Sequence, residues 1–259
     1  MDIVCAGDIT LDIVNHNIPK KNEIVISDVS MNVGGNAAIT AVALASLGLN
    51  VGLVGYVGND PIGKYLLDKI KSYGVRTFIK KVNEPTSIST VLIKGNDRRI
   101  VNSIGANKLI PKKLPRAKAV FIGGYVLTHK ALNLADGYKL RFTDIGAVNK
   151  KHKITKYMKS YIRTFNFVFA SGSPEVFRNY NNIVVHADEK GSYIITDKVH
   201  HIPTKKTVAR NPVGAGDVYN AGFIYGIIRG YNAIKSAKLA TKAALFYIRH
   251  RKQTFPKNL

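Results

Sequence analysis

The chain has 259 residues, of which 46% are hydrophobic, and a single cysteine; this excludes an internal disulfide and leaves enough chain for a large buried core. Its 39 lysine and arginine residues against 16 acidic residues give a net charge of +23, which attracts anions in general. The basic residues are scattered and are not interleaved with aromatic side chains, so the charge does not predict nucleic-acid binding.

The N-terminal segment is acidic and has no basic cluster, so we expect no signal peptide in it. Residues 37–58 carry no charge, but several glycines interrupt them. We therefore expect a buried helix over Ala37–Leu47 and a strand over Val51–Val57, not a helix that crosses a membrane. Cys5, a lone thiol among apolar residues of the first predicted strand, favours a cytoplasmic location.

Short β-rich segments alternate with helical segments along the chain, a pattern typical of a parallel sheet with crossover helices. Helices are predicted over Ile62–Tyr73 and Ile154–Arg163. In such sheets, binding sites lie beyond the carboxyl ends of the strands. The predicted strands are Asp2–Ala6, Val51–Val57, Ala119–Ile122, Leu140–Thr143, Phe165–Phe169, Ile183–His186 and Tyr193–Thr196.

Two segments depart from this alternation. Thr86–Lys94 alternates with period two and is followed by turn residues at 95–97 and an extended segment, Arg98–Ile104, which together predict a β-hairpin. Glu23–Asn32 is a second β-like segment, just before a pair of glycines. These segments form either a small β-sheet lid over a site or simple edge hairpins.

The segment with the clearest chemistry is Gly214–Asp217, which precedes an apolar helical segment. Small residues at a helix start let a phosphate approach unpaired backbone N–H groups, and the helix dipole favours negative charge there. An acid would repel a phosphate that is only bound, but it is useful if Asp217 accepts a proton while neighbouring amides hold a transferring phosphoryl group. These residues alone leave open that Asp217 is merely a favourable first-turn acid beside a tight turn.

A second long motif lies in the N-terminal half. Gly34-Gly35 precedes an alanine-rich helix that ends in Leu47-Gly48, and a strand and a Gly-x-Asp-x-x-Gly element at 58–63 follow. With the Gly-Ala-Gly-Asp turn far downstream, this order resembles the PfkB family of carbohydrate kinases, which includes ribokinases, fructokinases and nucleoside kinases. The Gly-Asp-Ile-Thr-Leu-Asp start and Gly105–Asn107 are further matches.

The resemblance implies a fold and a set of roles. The fold is one ribokinase-like α/β domain over residues 1–259, with a mostly parallel central sheet, helices on both faces, and a small β-sheet lid from about 11–34 and 86–105. Asp217 is implied as the catalytic base, and the implied anion hole is Gly214, Ala215 and Gly216. The implied substrate contacts are Asp12, Gly34, Gly35 and Asn36, the nucleotide contacts are Lys190 and Gly191, and the indirect Mg²⁺ contact is Glu175.

Several positions depart from the family pattern. Gly172 stands where an N-x-x-E element has Asn, which weakens the case for a Mg²⁺ water network. Asn211-Pro212 stands where Asp-Thr is common, which puts a bound monovalent cation in doubt. Asp188 and Glu189 place two acids near the phosphate donor, and Ile39 replaces a common Asn. We therefore expect a divergent or unusually specific kinase, or a decayed one.

The expected function is ATP- and Mg²⁺-dependent phosphorylation of a hydroxyl group on a sugar or a related small molecule. The alternatives are a nucleoside kinase on the same fold, with Tyr56 and Tyr125 as candidate stacking residues, and a non-catalytic ligand-binding relative. Arg98 and Arg99 of the hairpin are candidate contacts to an anionic acceptor. We expect a cytoplasmic protein that binds neither nucleic acid nor membranes and forms a homodimer through the lid.

Overall fold

The computed structural model describes residues 1–95, 97–124, 130–148, 154–205, 207, 213–250 and 255. The strands in these ranges are β1 (Ile3–Gly7), β2 (Thr10–Asn15), β3 (Val29–Gly34), β4 (Val51–Gly58), β5 (Arg76–Val82), β6 (Ser87–Lys94), β7 (Asp97–Ser103), β8 (Ala119–Gly123), β9 (Leu140–Val148), β10 (Phe167–Gly172), β11 (Ile183–His186), β12 (Ser192–Ile195) and β13 (Val199–Ile202). The helices are α1 (Asn36–Ser46), α2 (Pro61–Ser72), α3 (Lys156–Thr164), α4 (Ala215–Ile228) and α5 (Ala233–His250).

Nine of the described strands form one central sheet in the order β13-β12-β11-β10-β9-β8-β1-β4-β5. The strands from β11 to β5 in this order are parallel, whereas β12 and β13 are antiparallel additions at one edge. Because carboxyl ends of parallel strands meet at one edge of a sheet, the segments that follow β1, β8, β9, β10 and β11 lie side by side.

Side chains of the central sheet alternate between two hydrophobic cores, as expected for a sheet covered on both faces. Ile3 and Cys5 of β1 pack into the core that α1, α4 and α5 cover. Val4 and Ala6 pack into the opposite core, which α3 covers. The predicted buried position of Cys5 is confirmed, and burial raises the pKa of its thiol.

Helix α4 is apolar around most of its surface because it contacts the sheet and both α1 and α5. A Cβ at Gly222 would lie 2.8 Å from the Cα of Ala240, and one at Gly226 would lie 2.5 Å from Oγ of Ser236. These glycines therefore let α5 approach the backbone of α4 closely. Tight packing on two sides fixes the position of the first turn of α4.

Strands β3, β2, β6 and β7 form a separate four-stranded sheet in that order. Strand β2 pairs antiparallel with β3 and parallel with β6, and β6 and β7 form the predicted hairpin. One face of this small sheet packs around Val14, Val91 and Ile93, while β7 is exposed along its whole length. The predicted fold class, a mostly parallel sheet with a second small sheet, is confirmed.

Asp60 joins the two sheets. Its Oδ1 accepts hydrogen bonds of 2.7 Å from the Gly63 N–H and the Thr86 hydroxyl, and its Oδ2 accepts one of 2.7 Å from the Thr86 N–H. Burial by itself raises the pKa of Asp60, but these hydrogen bonds outweigh it and the pKa is lowered. The Gly-x-Asp-x-x-Gly element therefore caps α2 and anchors the chain where it enters β6.

Some element bounds differ from the sequence-based prediction. The strand predicted over Glu23–Asn32 begins only at Val29 and continues to Gly34. Residues 23–28 extend beyond the segment that pairs with β2, and Ile24 and Ile26 are 96% and 99% exposed. The apolar residues of this segment favour an extended conformation, but the pairing with β2 begins only at Val29 and leaves residues 23–28 outside it.

The apolar pattern does not predict β5 and β13, because both are edge strands of the central sheet. Strand β5 carries three exposed basic residues, Arg76, Lys80 and Lys81. Such charges are common on edge strands, where they discourage pairing with other chains.

Across the described ranges, every helix is too short or too polar to span a bilayer.

Candidate active site

Helix α4 begins at Ala215, directly after Gly214, whose φ of 83° lies in the left-handed region. A Cβ at Gly214 would also lie 3.0 Å from Cδ1 of Ile39 and 3.1 Å from Oη of Tyr247, so glycine suits this position. The first N–H groups of a helix have no partner within the helix, and its dipole favours an anion beside them. The residues predicted as an anion hole, Gly214, Ala215 and Gly216, thus lie among backbone donors.

The Asp217 carboxylate lies in the same first turn and is partly buried. Its Oδ1 accepts a 2.5 Å hydrogen bond from Nδ2 of Asn36, at the start of α1. Burial raises the pKa of Asp217 well above its ordinary value, the charges of Asp144 and Asp12 raise it further, and the Asn36 amide opposes them. A carboxylate with a raised pKa is suited to accept a proton near neutral pH.

Asp12 of β2 lies against the glycine pair between β3 and α1. A Cβ at Gly34 would lie 1.9 Å from Oδ1 of Asp12, and one at Gly35, where φ is 89°, would lie 2.4 Å from the Asp8 carbonyl oxygen. Asp12 is only 6% exposed, and burial raises its pKa to about 7. The glycine pair therefore leaves room for the Asp12 side chain. Because Asp12 is buried there, its ionised form is less favourable than in water.

Two further acids belong to this site but are not predicted as site residues. Asp8 directly follows β1, and a Cβ at Gly124, after β8, would lie 2.4 Å from its Cγ. Asp144 lies in β9 and accepts hydrogen bonds from Nδ2 of Asn220 at 2.7 Å and from Nδ2 of Asn36 at 3.4 Å. Both acids stand close after predicted parallel strands, so the rule that sites lie beyond carboxyl ends is the signal that would have found them.

His186, the last residue of β11, is a third unpredicted neighbour. A Cβ at Gly216 would lie 3.3 Å from its Nδ1, so the ring borders the first turn of α4. It packs against the rings of Phe169 and Tyr219. Burial lowers the pKa of His186, while the nearby charge of Asp144 opposes that shift. The His186 ring therefore forms one side of the site, next to the first turn of α4.

The residues predicted for the nucleotide and the metal lie on turns that follow β10 and β11. Lys190 is exposed, and its carbonyl oxygen lies 2.7 Å from Nε2 of His201. Gly191 has a φ of 90°, and a Cβ there would lie 2.2 Å from the carbonyl oxygen of Ile202. Glu175 lies in a short 3-10 turn after β10. These turns stand at the same sheet edge as Asp144.

At Gly172, where the N-x-x-E element has Asn, the backbone leaves no room for a side chain. Gly172 has a φ of 134°, and a Cβ there would lie 2.1 Å from the carbonyl oxygen of Val148 on the neighbouring strand. A side chain at this position would collide with β9 unless the backbone moved. Asn211-Pro212 and Tyr125 lie outside the residues that the structure describes.

The structure therefore brings Asp12, Gly34, Asn36 and Asp217 together from three separate segments, with Lys190, Gly191 and Glu175 on adjacent turns. Fold and site together describe a mostly parallel α/β protein with an acid in the first turn of a helix, where unpaired backbone N–H groups lie.

Comparisons with known proteins identify the family. The ribokinase of Lactococcus lactis is 25% identical over 267 residues, which cover 92% of this chain and 87% of the relative. The adenosine kinase of Schistosoma mansoni, solved with 2-fluoroadenosine, superposes with a TM-score of 0.81 at 19% identity and covers 98% of this chain and 97% of that one. The ribokinase of Arabidopsis thaliana, solved with ribose and ATP, has a TM-score of 0.75 at 18% identity, with 97% and 93% covered. Both structures show the same fold.

A family model described as pfkB family carbohydrate kinase matches residues 1–139 and 172–258. The chain belongs to this family. The resemblance inferred from the two motifs is thus confirmed, and the chain is a member of a family of ATP-dependent phosphotransferases.

Proposed function

We propose that this chain transfers the γ-phosphoryl group of ATP to a hydroxyl group of a sugar or a related small molecule, with Asp217 as the general base. The observation that carries this proposal is the Asp217 carboxylate among the backbone N–H donors of the first turn of α4, held by Asn36. Burial raises its pKa, so it is a better proton acceptor than an exposed aspartate.

The acceptor side of the proposed site is formed by Asp12 and the Gly34-Gly35 turn. An ionised Asp12 offers two oxygens that can accept hydrogen bonds from sugar hydroxyl groups. Asn36 is predicted as a substrate contact, but its amide N–H group already donates to Asp217. Its first role in this proposal is therefore to hold the base.

The donor side uses backbone groups more than side chains. The N–H groups of Ala215, Gly216 and Asp217 hold the transferring phosphoryl group, and Lys190 and Gly191 border the nucleotide. Bound Mg²⁺ would neutralise charge on the phosphates. Mg²⁺ commonly keeps several waters and one or two carboxylates beside substrate phosphates. Glu175, on the short turn after β10, offers a carboxylate of this kind. Among the described residues, no group of three or more His, Cys, Asp or Glu side chains could hold a metal by itself.

The chemical step then follows from the positions of these groups. Asp217 accepts the proton of the acceptor hydroxyl, whose oxygen attacks the γ-phosphorus in line with the departing β-phosphate oxygen of ATP. The developing charge on the phosphoryl oxygens lies at the helix N-terminus, where fixed N–H donors stabilise it without reorganisation.

The first experiment is an ATP-consumption assay with a panel of sugars and nucleosides, run on the wild type and on Asp217→Asn. Loss of the general base should lower kcat about 10²–10⁴-fold. Asp136→Asn, which removes an exposed acid on the turn that precedes β9, is the matched control and should keep wild-type activity. A folded Asp217→Asn variant with nearly unchanged kcat would remove Asp217 from the role, and absence of turnover with every acceptor would favour a non-catalytic relative.

A nucleoside is the second candidate acceptor. Tyr56 lines a small cavity with Gly7, Asp8 and Asn107 beside the proposed acceptor site. Its hydroxyl group donates a 3.4 Å hydrogen bond to the carbonyl oxygen of Ile110, which holds the ring in place. An aromatic ring can stack on a base, but this cavity holds only about 10 Å³, so a base would reach Tyr56 only if Leu109 and Pro111 moved. The same acceptor panel separates this candidate from a sugar kinase.

We further propose that the small sheet pairs with that of a second copy of this chain. Exposed apolar side chains on this sheet and on the segment before β3 support such an interface. They are Ile24, Ile26, Val29, Met31, Ile100 and Val101.

Arg99 forms an exposed ion pair with Asp97 at 3.2 Å, so its predicted contact with an anionic acceptor requires that pair to open.

The cytoplasmic location and the weak affinity for nucleic acid remain predictions. Retention on DNA at about 0.2 M salt is the measurement for the second, because binding that depends on phosphate contacts weakens steeply with salt.

A further inference from the structure

Asp144 has no role in the function proposed above, yet it accepts three hydrogen bonds at the carboxyl edge of the sheet. Its Oδ1 accepts a 2.7 Å hydrogen bond from the Gly146 N–H. Its Oδ2 accepts hydrogen bonds from two asparagine amides, Asn220 at 2.7 Å and Asn36 at 3.4 Å. These contacts come from its own strand, from α4 and from α1.

Two asparagine side chains present N–H groups to Asp144. Oδ1 of Asn36 and Oδ1 of Asn220 are both buried, and neither has a hydrogen-bond partner among the described residues. A buried polar atom without a partner is unfavourable. Each amide nevertheless turns an N–H group toward Asp144, and Asn36 also donates its shorter hydrogen bond to Asp217.

Asn36 also connects Asp144 to the base. Its Nδ2 lies 2.5 Å from Oδ1 of Asp217 and 3.4 Å from Oδ2 of Asp144. The two carboxylate oxygens therefore lie within about 6 Å of each other, a separation at which like charges strongly disfavour double ionisation. One amide thus bridges a pair of acids.

We propose that Asp144 is a positioning residue of the phosphoryl-transfer site, which acts on Asp217 by presenting a second negative charge to it across the shared Asn36 amide. This inference rests on the proposed function of Asp217. It adds a residue that touches neither substrate nor nucleotide and acts through the base alone.

The charges around Asp217 are consistent with this role of Asp144. Loss of the Asp144 charge removes a repulsion that raises the pKa of Asp217, whereas loss of Asn36 removes a donor that lowers it. Burial lowers the pKa of His186 and the Asp144 charge opposes that shift, so Asp144→Asn should lower the His186 pKa further and add no positive charge beside Asp217. The titratable groups that face Asp217 or Asp144 are Asp8, Asp12, His186 and Tyr247.

The kinetic test compares the pH dependence of kcat/KM for the wild type, Asp144→Asn, Asn36→Ala and the control Asp136→Asn, because this profile reports the pKa of the base in the free enzyme. Asp144→Asn should move the acidic limb to lower pH by on the order of one unit. Asn36→Ala should move it to higher pH, and Asp136→Asn should leave it in place. Lower activity at every pH, with the limb unmoved in both variants, is the result of a purely structural role and overturns the proposal.

A second measurement is independent of activity. NMR of isotope-labelled aspartate carboxyl carbons follows the titration of Asp217, whose signal is assigned by its loss in Asp217→Asn. Opposite shifts in Asp144→Asn and Asn36→Ala support the proposal, and equal or absent shifts overturn it. Should no acceptor be phosphorylated, the proposed function fails while this titration still decides the role of Asp144. Should Asp144→Asn not fold, Asp144→Ser, which also removes the charge, is titrated in its place, and a downward shift supports the proposal while an unmoved titration overturns it.

Discussion

Asp12→Asn should change how the stability of the protein depends on pH. Asp12 is 6% exposed, and burial raises its pKa from 3.8 to about 7. Above the ordinary value the unfolded chain has released this proton, while the folded protein keeps it until the pH passes the raised value. The folded state therefore binds more protons in this window, and stability falls as the pH rises through it.

The magnitude follows from the size of the shift. Each pH unit in which the folded state alone holds the proton corresponds to about 1.4 kcal/mol. A shift to about 7 thus removes about 4 kcal/mol of unfolding free energy across the whole window, of which about 3 kcal/mol falls between about pH 5 and pH 8. An asparagine of similar shape cannot ionise, so the variant lacks this loss.

The assay is urea unfolding of both proteins at several pH values, with the slope against urea used to check that the unfolding reaction is unchanged. The difference in unfolding free energy should favour Asp12→Asn increasingly up to about pH 7 and then level off. The same variant should bind the acceptor more weakly, since stability and function conflict at such sites. A difference that does not change with pH would refute the reasoning, because it would mean that Asp12 titrates alike in both states.

Two other changes test the acceptor site and the proposed dimer. Gly34→Ala places a Cβ 1.9 Å from Oδ1 of Asp12, and we expect Asp12 to be displaced, with KM for the acceptor raised at least about tenfold for a lost hydrogen bond to a charged group. The melting temperature should fall as well, because overpacking a buried position costs about 1–3 kcal/mol. An unchanged KM would contradict this. Val101→Asp puts a charge on a side chain that is 71% exposed, so it should shift a dimer to monomer in analytical ultracentrifugation while the folded monomer keeps its stability. A wild type that is already monomeric at assay concentrations would contradict the dimer.

Much of the fold follows from local patterns. Runs of β-branched residues between helical segments predict the inner strands β1, β4, β8 and β11, and these match the structure to within a residue or so at their ends. Edge strands β5 and β13 escape this reasoning because one or both of their faces are solvated, which removes the apolar signal on which the prediction depends.

The candidate site is predictable where a backbone requirement leaves a mark in the sequence. Glycines at 34 and 35 and at 214 stand where a Cβ would strike Asp12, the Asp8 carbonyl or Tyr247, and only glycine fits such positions. Asp144, in contrast, does not stand at a position that requires one particular residue type for backbone reasons. An acid after a strand is common, and its importance depends on which neighbours the fold supplies.

Local spacing thus determined the elements, the glycine turns and the acid at the start of α4, because backbone sterics and helix-end chemistry act over a few residues. Only the tertiary structure decided which of these groups meet. Asn36 and Asp217 lie 181 positions apart, and they touch because α1 and α4 pack on the same face of a sheet whose strand order differs from chain order. Such long-range pairing depends on the burial of whole surfaces and not on any short motif.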